Sequence, residues 1–205
     1  MLMKFSQDLN KKTKRGEKMT EENKKDEGAS KPKKIGIMVG SDSDLPQCIN
    51  GLLHLRVEQT SGKCEVVTVI TNSIHRNTEE VLQNLKTYNH LLDAWIIGAG
   101  LANHLTGTCD AYLRYTLKNN KTRVFGVAFG NINDINPNHI YAAILSITMV
   151  PSTQVIYCGA GEQGFLKACK DAISNYDELP RITIGAEKPV VKRTLEQTIQ
   201  FLAKK

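Results

Sequence analysis

The chain has 205 residues, of which 40% are apolar, and its 27 basic and 21 acidic side chains give a net charge of +6. This length suffices for one ordinary domain with its own buried core, so no stabilising metal or disulfide is required. The sequence contains no long uninterrupted apolar run of the kind that spans a membrane, and its first residues lack the apolar stretch of a secretory signal. We therefore expect a soluble, cytoplasmic protein without a membrane partner.

Most of the positive charge lies at the amino-terminal end, because residues 1–34 contain 11 basic and 6 acidic side chains. This segment has very few aliphatic residues and cannot bury enough surface to fold. We predict a disordered basic tail over residues 1–33, with weak attraction to RNA or another polyanion, or a transit peptide, as alternatives. The rest, residues 34–205, is nearly neutral, so a nucleic-acid partner is not expected.

From Lys34 onward, short apolar runs alternate with stretches in which apolar residues recur at helical spacing. Runs that are apolar on both faces are typical of strands in a buried parallel sheet. Five strand–helix alternations predict an α/β sandwich with right-handed crossovers. The predicted strands are 35–39, 64–70, 94–99, 123–129 and 153–158.

A last amphipathic helix is predicted at about 190–203, after Pro189, with Val191, Leu195, Ile199 and Leu202 on one side. Two positions are open to it. It could cover the sheet, or it could dock on a neighbouring subunit.

The five cysteines are scattered, with no CxxC pair and no Cys/His spacing typical of zinc. We expect reduced, mostly buried thiols and no metal site.

In a parallel sheet of this kind, ligands bind beyond the carboxyl ends of the strands. The loops that leave the five strands are therefore the places to look for function. They are 40–44, 71–77, 98–107, 130–139 and 158–164.

The first loop, Gly40-Ser41-Asp42-Ser43-Asp44, combines a flexible glycine with two hydroxyls and leads into a helix. Backbone N–H groups at a helix start attract phosphate, and the carboxylates suit a ribose or a helix cap. The loop is neither a Walker motif nor a dinucleotide fingerprint. It predicts either a phosphate-binding turn or a simple capping turn.

The second and third loops add further groups. Arg76 can bind phosphate through its planar fork, Ser73 can add a hydroxyl, and His75 can exchange a proton near neutral pH. His75 could instead be structural or merely solvated. In the third loop, Gly100 allows close approach of a ligand to the backbone. His104 is predicted to start a helix rather than to serve as a second polar group.

GSDSD after the first strand, SIHR after the second and AG…HLTG after the third resemble, in this order, the PurE family. These are aminoimidazole ribonucleotide carboxylases and carboxyaminoimidazole ribonucleotide mutases of purine biosynthesis. The resemblance covers about residues 35–175. It implies a flavodoxin-like three-layer sandwich with a mainly parallel sheet, usually an octamer, and no metal, nucleotide or organic cofactor.

The resemblance also implies roles for particular residues, with a phosphorylated ribonucleotide as substrate. His75 matches the catalytic histidine that moves a proton to and from the imidazole carbon. The remaining implied residues bind substrate. Ser43 and Asp44 match contacts to phosphate and ribose with Ser41 close by, Ser73 and Arg76 match phosphate contacts, and Ala99, Gly100 and Leu105 match backbone positions around the carboxylate or carbon dioxide.

Several positions depart from the family pattern. Ile74 and Leu101 stand where the family has a small residue and a glycine, and Asn103 and Thr106 also differ. The fourth loop, GNINDINPNHIY, is unlike the usual segment. We therefore keep alternatives open: a non-catalytic ribonucleotide-binding or regulatory protein, a related enzyme acting on another ribonucleotide or a pyridine nucleotide, and a flavin electron carrier.

Overall fold

The apolar runs of the sequence form the five strands of one sheet in the computed structural model, which describes residues 31–130, 138–184 and 186–204. The predicted tail therefore lies almost entirely outside the described residues and stays a prediction. The strands are β1 Lys33–Val39, β2 Cys64–Thr71, β3 Ala94–Gly100, β4 Arg123–Phe129 and β5 Ile156–Ala160.

The strand order is β2-β1-β3-β4-β5, and every neighbouring pair is parallel. This is the flavodoxin-like order, in which the chain direction across the sheet reverses between β1 and β3. The loops leaving β1 and β3 run to opposite sides at that point and leave a crevice between them. The predicted parallel α/β sheet is confirmed, and its topology places a crevice beside the first and third loops.

Helices cover both faces of the sheet, so the predicted three-layer sandwich is also confirmed. The helices are α1 Ile49–Thr60, α2 Thr78–Thr87, α3 His104–Ala111, α4 Asn138–Thr148, α5 Gly161–Ala172 and α6 Leu195–Ala203. One face of the sheet carries α1 and α5, which pack on each other, and the other face carries α2, α3 and α4. Side chains alternate along β1 between these two layers, because Ile37 faces α1 and α5 whereas Met38 faces the other three helices.

All five cysteines are free and buried, as predicted. Burial is the main cause that raises the pKa of each thiol, in the case of Cys48 to about 12. The thiols are therefore held in the neutral form that suits an apolar core.

The fifth strand was predicted to begin at Thr153, which is wrong by three residues. The Thr153 N–H donates to Val150 O in a turn, and the Gln154 N–H donates to the Asp110 carboxylate at 2.9 Å. These backbone groups are used before the sheet begins. Pairing with β4 therefore starts at Ile156 and continues to Ala160.

The last helix begins at Leu195 rather than near residue 190. Thr194 caps it, and the Gln197 side-chain oxygen accepts a hydrogen bond from the Thr194 N–H, which completes a capping box and fixes the start. Leu195, Ile199 and Leu202 are 78%, 51% and 63% exposed. The helix does not cover the sheet, so that alternative is wrong.

Within the described ranges, no helix combines the length and the apolar character that crossing a membrane requires.

Candidate functional site

The loops after β1, β2 and β3 converge on one cavity of about 640 Å³. All nine site residues predicted from the sequence line it: Ser41, Ser43, Asp44, Ser73, His75, Arg76, Ala99, Gly100 and Leu105. The structure therefore brings the three motifs together at the crevice that the strand order creates. Gly130, at the end of β4, also lines the cavity, and of the fourth loop residues 131–137 lie outside the described part of the chain.

The first loop leads straight into a short 3-10 helix, Asp42–Cys48, and Ser41 is its cap. The Ser41 hydroxyl oxygen accepts from the Ser43 N–H at 3.3 Å and lies 2.9 Å from the Ser43 hydroxyl. The loop is thus a capping turn, and both hydroxyls also line the cavity. The two predicted interpretations are compatible, because capping holds these hydroxyls at the cavity wall.

Glycine is required at position 40 because the first and third loops touch there. A Cβ on Gly40 would lie 2.7 Å from the Cβ of Ala99. The Gly40 N–H donates to Gly98 O at 2.9 Å, which joins the ends of β1 and β3. The floor of the cavity is therefore built from closely packed backbone.

Asp44 is a buried carboxyl on this floor, only 8% exposed. Burial raises its pKa from 3.8 to about 6, while hydrogen bonds from the backbone at Ser41 and Gly100 act in the opposite direction. A carboxyl in this setting can accept hydrogen bonds from sugar hydroxyls, and it loses its proton within the physiological range.

The second loop is a compact turn anchored by Asn72 and Asn77. The Asn72 N–H donates to Val39 O at 2.8 Å, and the Asn77 side chain donates to Asn72 Oδ1 at 3.0 Å. The Asn77 N–H also donates to Ser73 O at 2.9 Å. This framework leaves His75 and Arg76 exposed in the cavity wall. Among the lining residues that the structure describes, Arg76 alone carries a permanent positive charge.

His75 lies against a second histidine, and this pair is the main feature that the sequence did not predict. His75 Nε2 is 2.8 Å from His104 Nδ1, and the two rings meet nearly edge to face. One ring nitrogen must donate and the other accept, so the two residues share a single proton at this contact. His104 does start α3 as predicted, but it also belongs to the cavity wall. The feature of the sequence that could have indicated this is the place of His104 only four residues after Gly100, in the same loop.

Two further residues of the third loop, Leu101 and Ala102, line the cavity without having been predicted to bind substrate. Ile74 also lines it, but this residue is only 8% exposed and packs with α2 and α3 in the core. Its larger side chain is therefore accommodated mainly by the core. The fifth loop, 158–164, contributes no lining residue in the described structure.

The arrangement offers an anion-binding side, formed by hydroxyls, exposed backbone and Arg76, next to a pair of histidines that can hold a proton. Among the described residues, no group of three or more His, Cys, Asp or Glu side chains is placed to hold a metal ion. The cavity thus has the parts to bind a small phosphorylated molecule and to transfer a proton on it.

Comparison with known proteins places the family of the chain. No curated protein matches the chain significantly. A crystal structure of Treponema denticola PurE aligns with a TM-score of 0.47 and 19% sequence identity, covering 68% of this chain and 86% of that one. A sequence model described as AIR carboxylase matches residues 34–153, which is more than half of the chain and includes the whole described cavity. The protein therefore belongs to the AIR carboxylase family, a family of purine biosynthesis.

Proposed function

We propose that the protein is an enzyme that forms 4-carboxy-5-aminoimidazole ribonucleotide. The carboxylate would come either by migration from the N5-carboxyamino isomer or from carbon dioxide and aminoimidazole ribonucleotide. The observation that carries the proposal is that three motifs of the family, including its histidine, line one cavity of suitable size. The substrate is a phosphorylated ribonucleotide, and no cofactor is needed for the proposed reaction.

The proposed binding mode follows from the chemistry of the wall. Arg76 and the hydroxyls of Ser43 and Ser73 would hold the phosphate, since a guanidinium fork and hydroxyl donors match its oxygens. Asp44 would accept hydrogen bonds from the ribose. Ala99, Gly100 and Leu105 would surround the carboxylate or carbon dioxide.

The proposed chemistry uses the enamine character of the aminoimidazole ring. The ring carbon attacks carbon dioxide, a carbon–carbon bond forms, and the proton on that carbon leaves to His75. In the migration route, the nitrogen–carbon bond of the N5-carboxyamino group breaks first, its electron pair stays on the nitrogen, which takes a proton from His75, and carbon dioxide is released within the cavity. His75 recovers a proton when the ring carbon loses its own. Holding the two reactants side by side supplies most of the acceleration, and the histidine supplies the proton transfer.

His104 would act as a positioning residue in this mechanism. Its contact at 2.8 Å fixes the direction of the His75 ring, and the shared proton gives His75 a neighbour with which to exchange it. Sequence comparison alone assigned no such role to His104.

The decisive experiment is a spectrophotometric assay run in parallel with the N5-carboxyamino isomer and with aminoimidazole ribonucleotide plus bicarbonate. Turnover of the first alone indicates a mutase, and turnover of the second indicates a direct carboxylase. Binding of both with turnover of neither would favour the second candidate, a non-catalytic ribonucleotide-binding protein. That candidate is supported by the departures at Leu101 and Asn103 in the cavity loop.

We also propose that the protein acts in the cytoplasm as a homo-oligomer, an octamer by analogy with the family. The support is the exposed apolar side of α6, which the described residues of its own chain leave open to solvent. The basic segment before Lys33, which is the first residue of β1, is proposed to be a tail outside the folded domain.

A further inference from the structure

The third loop is held in place by one buried side chain. Asn103 is fully buried, its amide donates to Val127 O at 3.0 Å, and its carbonyl oxygen accepts from the Thr106 N–H and the Thr106 hydroxyl at 3.1 and 2.9 Å. These bonds tie the loop to β4 and to the first turn of α3 at once. The two residues before Asn103 are therefore fixed in position although they are themselves exposed.

Leu101 adopts an unfavourable backbone conformation in this loop. Its φ is +54°, in the left-handed region, where the Cβ of any residue other than glycine comes too close to the backbone carbonyl oxygen. The side chain is also 58% exposed, so its packing contributes little stabilisation to offset the backbone strain. A strained and exposed leucine that lines a cavity is an observation that calls for a functional reason.

The surroundings of Leu101 indicate what that reason is. The first and second loops bring hydroxyls, a carboxyl and a guanidinium to the cavity, whereas the third loop brings apolar side chains, among them Ala99, Leu101 and Leu105. An exposed leucine that lines a cavity is removed from water when a bound ligand covers it with apolar surface. A phosphate or a ribose has little such surface, but the face of a heteroaromatic base does.

We propose that Leu101 is a specificity-determining residue that packs on the base of the bound ribonucleotide and selects it over a sugar phosphate without a base. The inference rests on the proposed function and adds a substrate contact that the family motifs do not provide, since the family has glycine at this position.

The test compares the affinities of aminoimidazole ribonucleotide and ribose 5-phosphate by calorimetry. In Leu101→Asn, which tolerates the left-handed backbone and keeps a similar size, the ribonucleotide should bind about five- to tenfold more weakly, as expected for loss of a partly buried leucine contact. Ribose 5-phosphate should bind as to wild type. Leu101→Met, which stays apolar, should keep the wild-type preference to within about twofold.

Ser152→Gly is the matched control, because Ser152 is exposed, has a φ of +57° and does not line the cavity. It should leave both affinities unchanged. Leu101→Gly should melt at or above the wild-type temperature, since relief of strain outweighs the small packing loss. If Leu101→Asn weakens the binding of both ligands equally, or of neither, the role given to Leu101 is wrong while the proposed function still stands. Failure of wild type to bind either ligand would overturn the proposed function and this inference with it.

Discussion

His75 and His104 stand close enough to act as one unit, and this changes what each residue can do. A single exposed histidine turns freely and exchanges its proton with water. In the pair, the contact of 2.8 Å restricts the His75 ring, and the proton at the contact belongs to both rings. The orientation of the His75 ring in the cavity wall is therefore set by α3, on which His104 is the first residue.

Replacement of the two histidines should separate proton transfer from positioning. We expect His75→Asn to lower kcat by about 10²- to 10⁴-fold, the usual contribution of a general acid–base group, with little change in ribonucleotide affinity. His104→Gln should lower kcat less, by about tenfold, and should alter the pH profile of kcat because His75 then exchanges its proton with solvent.

The matched control is His90→Asn, since His90 is exposed, lies outside the cavity and has a left-handed backbone that asparagine tolerates. Its steady-state kinetics should equal those of wild type. Full activity of the His75→Asn protein would refute the catalytic assignment, and a wild-type pH profile in His104→Gln would refute the positioning role.

Asp44 makes the stability of the fold depend on pH. Its pKa in the folded protein, about 6, lies above the ordinary value of 3.8, so the native state binds the proton more tightly than the unfolded chain does. Stability should then fall by about 1–3 kcal/mol as the pH rises from about 4 to 6. In Asp44→Asn this part of the pH dependence should disappear, which urea unfolding at several pH values would show.

Asp42→Asn is the control for this experiment, because Asp42 is the exposed carboxyl of the same loop. Its stability should follow the wild-type pH curve. The Asp44→Asn protein should also bind the ribonucleotide more weakly at pH 7, because the ionised acceptor for the ribose is lost. A pH curve unchanged by Asp44→Asn would show that the buried carboxyl is not the source of the dependence.

At the scale of elements, a buried ion pair joins α3 to the segments around it. Arg114, in a π-helical turn that continues α3, is fully buried and donates to Asp110 at 3.0 Å, Asn119 O at 2.7 Å and Thr122 O at 2.9 Å. The second oxygen of Asp110 accepts from the Gln154 N–H. One side-chain pair therefore secures the approach to β4 and the approach to β5.

Removal of the arginine should be costly because it leaves a buried carboxylate without its cationic partner and two backbone carbonyls without the donors that the guanidinium provides. We expect Arg114→Met to lower the free energy of unfolding by about 3–5 kcal/mol, measured by urea denaturation. Lys167→Met is the matched control, since Lys167 and Asp171 form a pair at the same helical spacing on the surface. Its loss should cost about 0–1 kcal/mol. Equal costs in the two variants would contradict the role given to Arg114.

The same elements show how far the sequence could predict the fold. Four strands were placed to within two residues at either end, because short apolar runs bounded by turn residues have a plain pattern. The start of β5 was missed because Gln154 binds Asp110, a contact across 44 residues that no local pattern contains. The site residues were found through motifs within single loops. The pairing of His75 with His104, which are 29 residues apart, depends on the strand order and needed the structure.

At the scale of the whole molecule, apolar side chains remain exposed along two helices far apart in the sequence. Ile49, Leu53 and Val57 form such a row on α1, and Leu195, Ile199 and Leu202 form another on α6. Rows of this kind are typical of surfaces that become buried on association. The proposed oligomer would cover such apolar surface, whereas a monomer would leave it in water.

The row on α6 can be tested without changing the folded domain, because none of its described residues is buried. We expect Ile199→Lys combined with Leu202→Lys to reduce the oligomeric mass measured by light scattering after size exclusion, since charged groups at an interface lose their hydration. The Tm of the dissociated protein should be lower than that of wild type only because the subunit contacts are lost. Since a monomer unfolds without dissociating, its Tm should no longer depend on protein concentration. Gln200→Lys places one lysine on the same helix but beside the apolar row, and it should leave the oligomeric mass unchanged. A wild-type protein that is already monomeric, or a double variant of unchanged mass, would show that α6 is not the surface through which the subunits associate.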